Sequence, residues 1–186
     1  MNDSHKSKSR QDYLKAILSL DLKEVKASTS SISKKLKTKP ASVTGMFKVL
    51  SDLGLIEYKP YQGAVLTQSG REEAISLMRK HRLWEVFLVE KLNFKWDEVH
   101  DIAEQLEHIQ SSPLIERLDE HLGFPKFDPH GDPIPNAQGE IAPIPISTIH
   151  KATKRQSVLK LQSCLNSITK GIRTKNAAAG DGIPVK

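Results

Sequence analysis

Two short helical patterns joined by a tight turn set the strongest constraint on the fold of this 186-residue chain. Ser30 or Ser31 can cap the first helix, and residues 37–39 form the turn that follows it. The second helix starts at Pro40, because proline suits a first helical turn, and it ends at Gly54. Such a pair is typical of a helix-turn-helix.

The neighbouring segments extend this pair to a winged helix. Apolar residues on one helical face predict a preceding helix over residues 12–20. Two apolar and β-branched runs, 55–58 and 64–67, are separated by residues 59–63 and predict a hairpin, and residues 69–70 open another helix. The sequence therefore predicts a mainly α fold with a small β-hairpin wing. The alternative is a hairpin that only closes the core.

The helix from Pro40 is the predicted recognition helix, which would enter the major groove of double-stranded DNA. Its small side chains would contact thymine methyl groups and sense groove shape rather than form bidentate bonds to guanine. The lysines would contact phosphates, although each could equally be a solvated surface charge. The residues predicted to contact DNA are Lys34, Lys35, Lys37, Lys39, Pro40, Ala41, Ser42, Thr44, Gly45, Lys48, Lys59 and Gln62.

Histidines and carboxylates recur at helical spacing in residues 73–109, which we predict to be two helices with a break at 92–94. His81 and Glu85 are four residues apart and share a helical face. The second helix carries a stripe of His100, Glu104, Glu107 and His108. Burying six such ligands without a cation would be costly. A set without sulfur favours Mn(II), Fe(II), Zn(II) or Co(II), and its carboxylates favour the first two.

Charge alternates along the chain. Residues 1–60 carry twelve Lys/Arg against six Asp/Glu, residues 61–140 carry eight against fifteen, and residues 141–186 carry eight against one. The basic start suits phosphate binding and the acidic middle suits cation binding. Charge runs of this kind are also typical of solvated faces, so they support the metal and DNA predictions without deciding them.

Several isolated features bound the class of protein. The single cysteine, Cys164, cannot pair within the chain, which fits a reducing compartment. The N-terminus has no apolar stretch typical of a signal peptide, and no run reaches membrane-spanning length. We therefore expect a cytoplasmic protein that does not bind a membrane. The lone histidines His121 and His130 are interpreted as structural.

The motifs of the chain resemble those of the diphtheria-toxin-repressor and manganese-transport-regulator family over about residues 9–140. The similar segments are 78–85 (MRKHRLWE) and 99–108 (VHDIAEQLEH) for metal binding, 57–67 (EYKPYQGAVLT) for the wing, 40–55 for the recognition helix, and 127–135 with its DPIP sequence. The likeness is specific because several motifs occur in the order and spacing of the family.

The resemblance implies three parts: a winged-helix DNA-binding domain over 1–72, a helical metal-binding and dimerisation domain over 73–140, and a short basic segment over 141–186. The last part would be an incomplete SH3-like domain or a disordered tail. The helix beyond Pro113 would join a homodimer interface through Leu114, Ile115, Leu118 and Leu122. A homodimer would bind an inverted-repeat operator in double-stranded DNA.

The resemblance also implies two metal positions. The primary site would use Asp12, Glu104, Glu107 and His108, and His81, Glu85 and His100 would form an ancillary or binuclear partner site. Cysteine replaces Glu104 and methionine replaces Asp12 in the iron-responsive branch, so this chain favours manganese. Lys15 stands where manganese regulators tend to carry a carboxylate, which leaves the choice between binuclear and ancillary geometry open.

The predicted function is a transcriptional repressor of metal-uptake genes with Mn(II), or else Fe(II), as corepressor. Zn(II) and Co(II) would be substitutes in vitro. One alternative is a winged-helix regulator whose acidic and histidine cluster is only structural. Another is a metallohydrolase, since histidine and glutamate on facing helices can activate water.

Overall fold

The computed structural model describes residues 3–141, with side chains from residue 8 onward. Six helices and one two-stranded antiparallel hairpin make up this part of the chain, which confirms the predicted mainly α fold with a wing. The segment over 142–186, for which an incomplete SH3-like domain or a tail was predicted, lies outside the described residues. The elements are α1 (Asp3–Asp21), α2 (Thr29–Leu36), α3 (Pro40–Asp52), β1 (Ile56–Lys59), β2 (Gly63–Leu66), α4 (Gln68–Leu92), α5 (Val99–Leu106) and α6 (Ser112–His121).

The helix-turn-helix is formed by α2 and α3. The cap of α2 is Ser28 rather than Ser30 or Ser31, so this detail of the prediction was wrong. The hydroxyl oxygen of Ser28 accepts a hydrogen bond from the backbone N–H of Ser31 at 3.1 Å, which is the usual bond of an N-cap. The helix ends at Lys37, which adopts the left-handed conformation with φ 50°, and α3 begins at Pro40 as predicted.

The hairpin of β1 and β2 is the wing. It pairs Ile56 with Leu66 and Lys59 with Gly63, and Ala64 also bridges to Ala27 in front of α2. Gly63 has a φ of +89°, and a Cβ there would lie 2.7 Å from the carbonyl oxygen of Ala27. Only glycine meets both requirements, so this position fixes the base of the wing against the segment that leads into α2.

Two apolar clusters lie along α4. The first packs Leu14, Ile17, Phe47 and Leu50 with the N-terminal half of α4, and the second packs the C-terminal half against α5 and α6. Because α4 belongs to both clusters, it connects the winged helix to the helices that follow. Helix α1 packs closely on α4, and its Lys15 also approaches Glu104 of α5.

The second predicted helix of the middle region is shorter than expected. The break extends to Glu98, whose carboxylate accepts a hydrogen bond from the backbone N–H of Lys95 and so favours a turn. Helix α5 ends at Leu106, Glu107 is its C-cap, and His108 lies beyond it. In α6, Ile115 and Leu118 are buried in the core of their own chain. Their predicted role in a dimer interface was therefore misassigned, because they face α4.

Among the helices of residues 3–141, none combines the length and apolar composition needed to cross a membrane.

The contact between α4 and the loop after α3 provides a test of packing at Gly70. A Cβ at this position would lie 1.9 Å from the carbonyl oxygen of Leu55. We expect Gly70→Ala to lower the free energy of unfolding by about 2 kcal/mol, because the backbone must move apart. Urea unfolding followed by circular dichroism would measure this. The matched control is Gly45→Ala in α3, where nothing lies within 4 Å; equal stability of the two variants would contradict the argument.

Candidate metal centre and DNA-binding face

A first group of possible metal ligands is formed between α4 and α5. His81 and Glu85 lie one turn apart on α4, with His81 Nε2 3.1 Å from Glu85 Oε1. His100 at the start of α5 brings its Nδ1 to 3.2 Å from His81 Nε2 and 3.3 Å from Glu85 Oε1. We call these three residues the His81 cluster. Two of them are buried and His100 is exposed, so an ion could enter from the His100 side.

A second group joins α1 to the end of α5. The Nε2 atom of His108 lies 3.3 Å from Asp12 Oδ1 and 3.7 Å from Glu107 Oε1. We call Asp12, Glu107 and His108 the His108 cluster; one ligand atom from each lies within 4.8 Å of the others. Because Asp12 belongs to the helix that leads into the winged helix, an ion here would connect the two helical regions.

The tautomer of His108 makes the His108 cluster suitable for binding a metal ion. Its Nδ1 lies 2.7 Å from the amide oxygen of Gln11, which only accepts hydrogen bonds, so Nδ1 donates. The other nitrogen, Nε2, then carries a lone pair. It is buried and has no hydrogen-bond partner among the described residues. A neutral imidazole held by a bond at one nitrogen, with the other nitrogen free beside two carboxylates, is the usual arrangement of a metal-binding histidine.

Glu107 links the two clusters. Its carboxylate is fully buried, and the Lys15 ammonium donates to Oε1 at 2.6 Å and to Oε2 at 2.8 Å. His81 Nδ1 lies 2.6 Å from the same Oε2 atom. The buried charge of Glu107 is therefore compensated from α1 by lysine and from α4 by histidine.

Glu104, predicted for the primary site, lies apart from the compact His108 cluster. Its Oε1 is 3.5 Å from His100 Nε2 and 3.6 Å from Lys15 Nζ, and half of its side chain is exposed. It therefore lies between the two clusters, at their open side. The predicted stripe of four ligands is divided, because Glu107 is buried while His100 and Glu104 face solvent.

In and beside the His81 cluster, burial and hydrogen bonding shift the pKa values of the side chains in opposite directions. Burial alone would raise the pKa of Glu85, but hydrogen bonds from His100 and His81 outweigh it and lower the pKa to about 2. Burial would also raise the pKa of Glu107, and the bonds from His81 and Lys15 again lower it. The pKa of His81 is raised because its bonds to both carboxylates outweigh its burial. Hydrogen bonding to the two carboxylates therefore favours the protonated form of His81, and a bound cation would compete with that proton.

In the His108 cluster, burial has the largest effect on the pKa values of His108 and Asp12. It lowers the pKa of His108 and raises that of Asp12, although each group partly offsets the effect on the other. A lowered histidine pKa keeps the imidazole neutral near pH 7, and neutral imidazole is the form that binds a metal.

Two side chains near these clusters were missed or set aside in the sequence analysis. Gln11 orients His108, and nothing in its local sequence could indicate this. His130 was interpreted as structural, but its Nε2 lies 3.4 Å from Glu85 Oε1 and its ring packs against Trp96 with centroids 5.6 Å apart. Nearby, burial raises the pKa of Asp128 to about 6.

A groove of about 620 Å³ lies between α3, the start of α2 and the wing. Three predicted DNA-contacting residues line it, namely Pro40, Thr44 and Lys48. Lys59 and Gln62 are exposed on the hairpin beside it. Sequence reasoning missed the remaining lining residues, which are Ser28, Thr29, Ser30, Tyr58, Pro60, Tyr61 and Gly63. The turn geometry of the wing leaves the Tyr61 side chain fully exposed at its tip.

Other predicted DNA-contacting residues lie elsewhere. Lys35, Lys37 and Ser42 line a larger groove of about 1050 Å³, which also contains Asp12 and His81. Burial, and then the nearby Lys23 and Lys15, lower the pKa of Lys35. The remaining predicted residues are exposed but line neither groove: Lys34, Lys39, Ala41 and Gly45. The predicted DNA-contacting residues therefore do not all line one groove.

Two family models match this chain. The N-terminal DNA-binding domain of iron-dependent repressors matches residues 5–64, and the metal-binding and dimerisation domain of the same repressors matches residues 67–136. The chain belongs to the iron-dependent repressor family. The resemblance to the diphtheria-toxin-repressor family is confirmed, and iron-dependent repressors are metal-dependent transcriptional regulators rather than enzymes. The alternative of a metallohydrolase is therefore wrong.

The names of similar proteins refer to two different metals, iron and manganese. The iron-dependent repressor IdeR of Mycobacterium leprae is 34% identical over 123 residues, which are 66% of this chain and 54% of that protein. An HTH-type regulator of Methanocaldococcus jannaschii, itself uncharacterized, is 40% identical over 114 residues, 60% of this chain and 90% of the relative. A solved manganese-dependent transcriptional repressor in complex with manganese has a TM-score of 0.67 and 42% identity, covering 73% and 63% of the two chains. The chain spans about half the length of the mycobacterial repressor.

Proposed function

We propose that this protein represses metal-uptake genes when a divalent metal ion, acting as corepressor, occupies its two clusters. The observation that carries the proposal is the His108 cluster, because Asp12 comes from α1 while Glu107 and His108 follow α5. An ion held by all three would bind most tightly in one arrangement of α1 and α5. It would therefore favour that arrangement by its difference in affinity.

The residues that would hold metal are those of the two clusters, Asp12, Glu107 and His108 in one and His81, Glu85 and His100 in the other. Glu104, near both, remains a proposed ligand. The bound ion would supply positive charge to carboxylates that are now neutralised by Lys15 and by protonated imidazole. The chain itself orients the ligands, through Gln11 at His108 and through Lys15 at Glu107.

We propose Mn(II) as the physiological metal, with Fe(II) as the alternative. The ligands are all imidazole nitrogens and carboxylate oxygens, which suit manganese better than a set with thiolate does. The similarity to a manganese-dependent repressor supports this choice, whereas the name of the mycobacterial relative favours iron. Zn(II) and Co(II) would then act as substitutes in vitro.

The proposed partners are an inverted-repeat operator and a second copy of this chain. The recognition helix would be α3, with the wing beside it, in the domain that we assign to residues 1–72. The domain assigned to residues 73–140 would form the dimer. Apolar side chains that its own fold leaves exposed, such as Leu114 and Phe124, support an interface there.

The test is fluorescence anisotropy with the purified protein on DNA from its own upstream region and from metal-transporter promoters. Binding is measured in chelator and then with Mn(II), Fe(II) or Zn(II). Tight binding only with metal would support the corepressor role, and the rank of metals would decide between manganese and iron. Equal binding in chelator would overturn the metal switch and favour a regulator whose clusters are only structural.

A second measurement tests the groove between α3 and the wing. Lys48→Gln should reduce the slope of log affinity against log salt concentration by about one for each subunit, because one phosphate contact is lost. The reason is that Lys48 is exposed on α3 and lines this groove. Salt titrations of operator binding with metal would measure the slope. The control is Lys126→Gln, an exposed lysine after α6; equal slopes in the two variants would contradict the assignment.

A further inference from the structure

The tip of the wing holds an aromatic side chain, Tyr61, in a strained and fully exposed position. The turn is closed by a hydrogen bond from the backbone N–H of Gln62 to the carbonyl oxygen of Lys59 at 3.0 Å. Pro60 is the second residue of this turn, and Tyr61 is the third, with a φ of 64°. Glycine suits a positive φ after proline, whereas a bulky side chain there is strained. The relative exposure of Tyr61 is 103%, so its ring makes little contact with its own chain that could offset this strain.

The base of the wing is held in place, so the tip is presented in a defined position. The backbone N–H of Ala64 donates to the carbonyl oxygen of Ala27 at 3.0 Å, and Gly63 packs too closely on Ala27 to admit a Cβ. Tyr61 is only two residues from this anchored glycine. A side chain that is already positioned loses less conformational entropy when it binds a partner.

The groove of about 620 Å³ between α3 and the wing has the chemistry of a binding site for one sugar-phosphate strand. Hydroxyl groups line it at residues 28–30 and at Thr44, and Lys48 adds positive charge. The first turn of α2 contains no acidic residue, so the positive end of the helix dipole is left to attract a phosphate. None of the described residues that line the groove is acidic.

A strand bound in this groove would separate α3 from the wing tip. In a duplex, one sugar-phosphate strand separates the major groove from the neighbouring minor groove. With α3 in the major groove, Tyr61, which borders the groove from the wing side, would therefore face the minor groove. A phenol hydroxyl can donate to the acceptors of adenine and thymine there, whereas the amino group of guanine obstructs this contact at G·C pairs.

We propose that Tyr61 enters the minor groove beside each operator half-site and selects A·T pairs there. This inference rests on the proposed DNA-binding function and adds a base-reading contact to it. The strain at Tyr61 then has a reason, because the side chain serves the complex with DNA rather than the fold.

The experiment measures binding of the full chain, with Mn(II), to two forms of DNA from its own upstream region. In the second form, adenine is replaced by diaminopurine, which carries an added amino group in the minor groove and keeps the major-groove edge of adenine. The replacement should weaken binding of the unaltered protein by about tenfold or more, since each subunit of a dimer loses one contact. Tyr61→Gly should lose about as much on adenine DNA and little more on diaminopurine DNA. Tyr61→Phe should behave like the glycine variant, because it lacks the hydroxyl.

Three controls separate this contact from folding and from charge. Tyr61→Gly should have an equal or higher urea midpoint, since glycine adopts a positive φ without strain. It should also keep the salt dependence of binding, because tyrosine carries no charge, whereas Lys48→Gln should reduce it. Val65→Ala changes an exposed wing residue that does not line the groove, and it should retain both the affinity and the full effect of diaminopurine.

The outcomes distinguish this inference from the proposed function. Tight metal-dependent binding by the unaltered protein, matched by Tyr61→Gly on adenine DNA, would overturn the role of Tyr61 and leave the repressor standing. An equal effect of diaminopurine on both proteins would also overturn it, because Tyr61 would then contact something other than the minor-groove edges of the bases. Absence of binding by the unaltered protein to its own upstream region and to metal-transporter promoters would overturn the proposed function and the inference with it.

Discussion

Replacing His108 with alanine should weaken metal-dependent operator binding by about 100-fold or more, since loss of even an orienting partner of a ligand costs 10- to 100-fold in metal affinity. The reason is that His108 Nε2 is buried without a hydrogen-bond partner and lies 3.3 Å from Asp12 Oδ1. Without this nitrogen, the cluster keeps only the two carboxylates of Asp12 and Glu107, and a bound ion loses one of its three ligands. Anisotropy titrations with Mn(II) on operator DNA would measure the loss.

The matched control is His121→Ala, which removes an exposed histidine at the end of α6. It should bind operator like the unaltered protein. Circular dichroism in chelator would establish that the His108 variant is folded, since removal of an imidazole with no partner at Nε2 should cost little in the metal-free state. A folded His108→Ala protein with unchanged Mn(II)-dependent binding would remove the His108 cluster from the switch.

Local sequence patterns were sufficient to predict the winged helix. Pro40 and Gly54 lie at the ends of α3 because each has a backbone preference that acts locally, and the wing follows from its own strand-like runs. The choice of cap was less predictable. Three serines at 28, 30 and 31 all have a suitable hydroxyl, and the one that caps the helix, Ser28, directly follows the bridge between Ala27 and Ala64.

The candidate site could be predicted only in part. The spacing of His81 and Glu85 brings them together within one helix, so sequence alone was enough. Asp12 was proposed through family resemblance, because no local pattern relates it to His108 on a distant segment. Lys15 approaches both Glu104 and Glu107, but packing buries Glu107 and leaves half of the Glu104 side chain exposed, and no local pattern indicates that difference.

His130 shows the same limit of sequence-based prediction, because it lies near the site but was interpreted as structural. A lone histidine in a turn has no helical partner that could indicate a shared site, so it was interpreted as structural. The fold brings its Nε2 to 3.4 Å from Glu85 Oε1. Long-range contacts of loop residues carry no periodic signal, and only the packed structure reveals them.

Lys15→Met should lower the free energy of unfolding of the metal-free protein by about 3 kcal/mol, because it leaves the buried Glu107 carboxylate with only His81 as a charged partner. Urea unfolding in chelator would measure the loss, and Lys15→Arg should recover most of it by keeping the positive charge. Mn(II) should stabilise the methionine variant more than the unaltered protein, since a bound ion supplies the missing charge. Lys35→Met, in the same groove but away from Glu107, is the control. Equal losses in the two methionine variants would mean that Lys15 acts only as a surface charge and does not neutralise Glu107 before metal arrives.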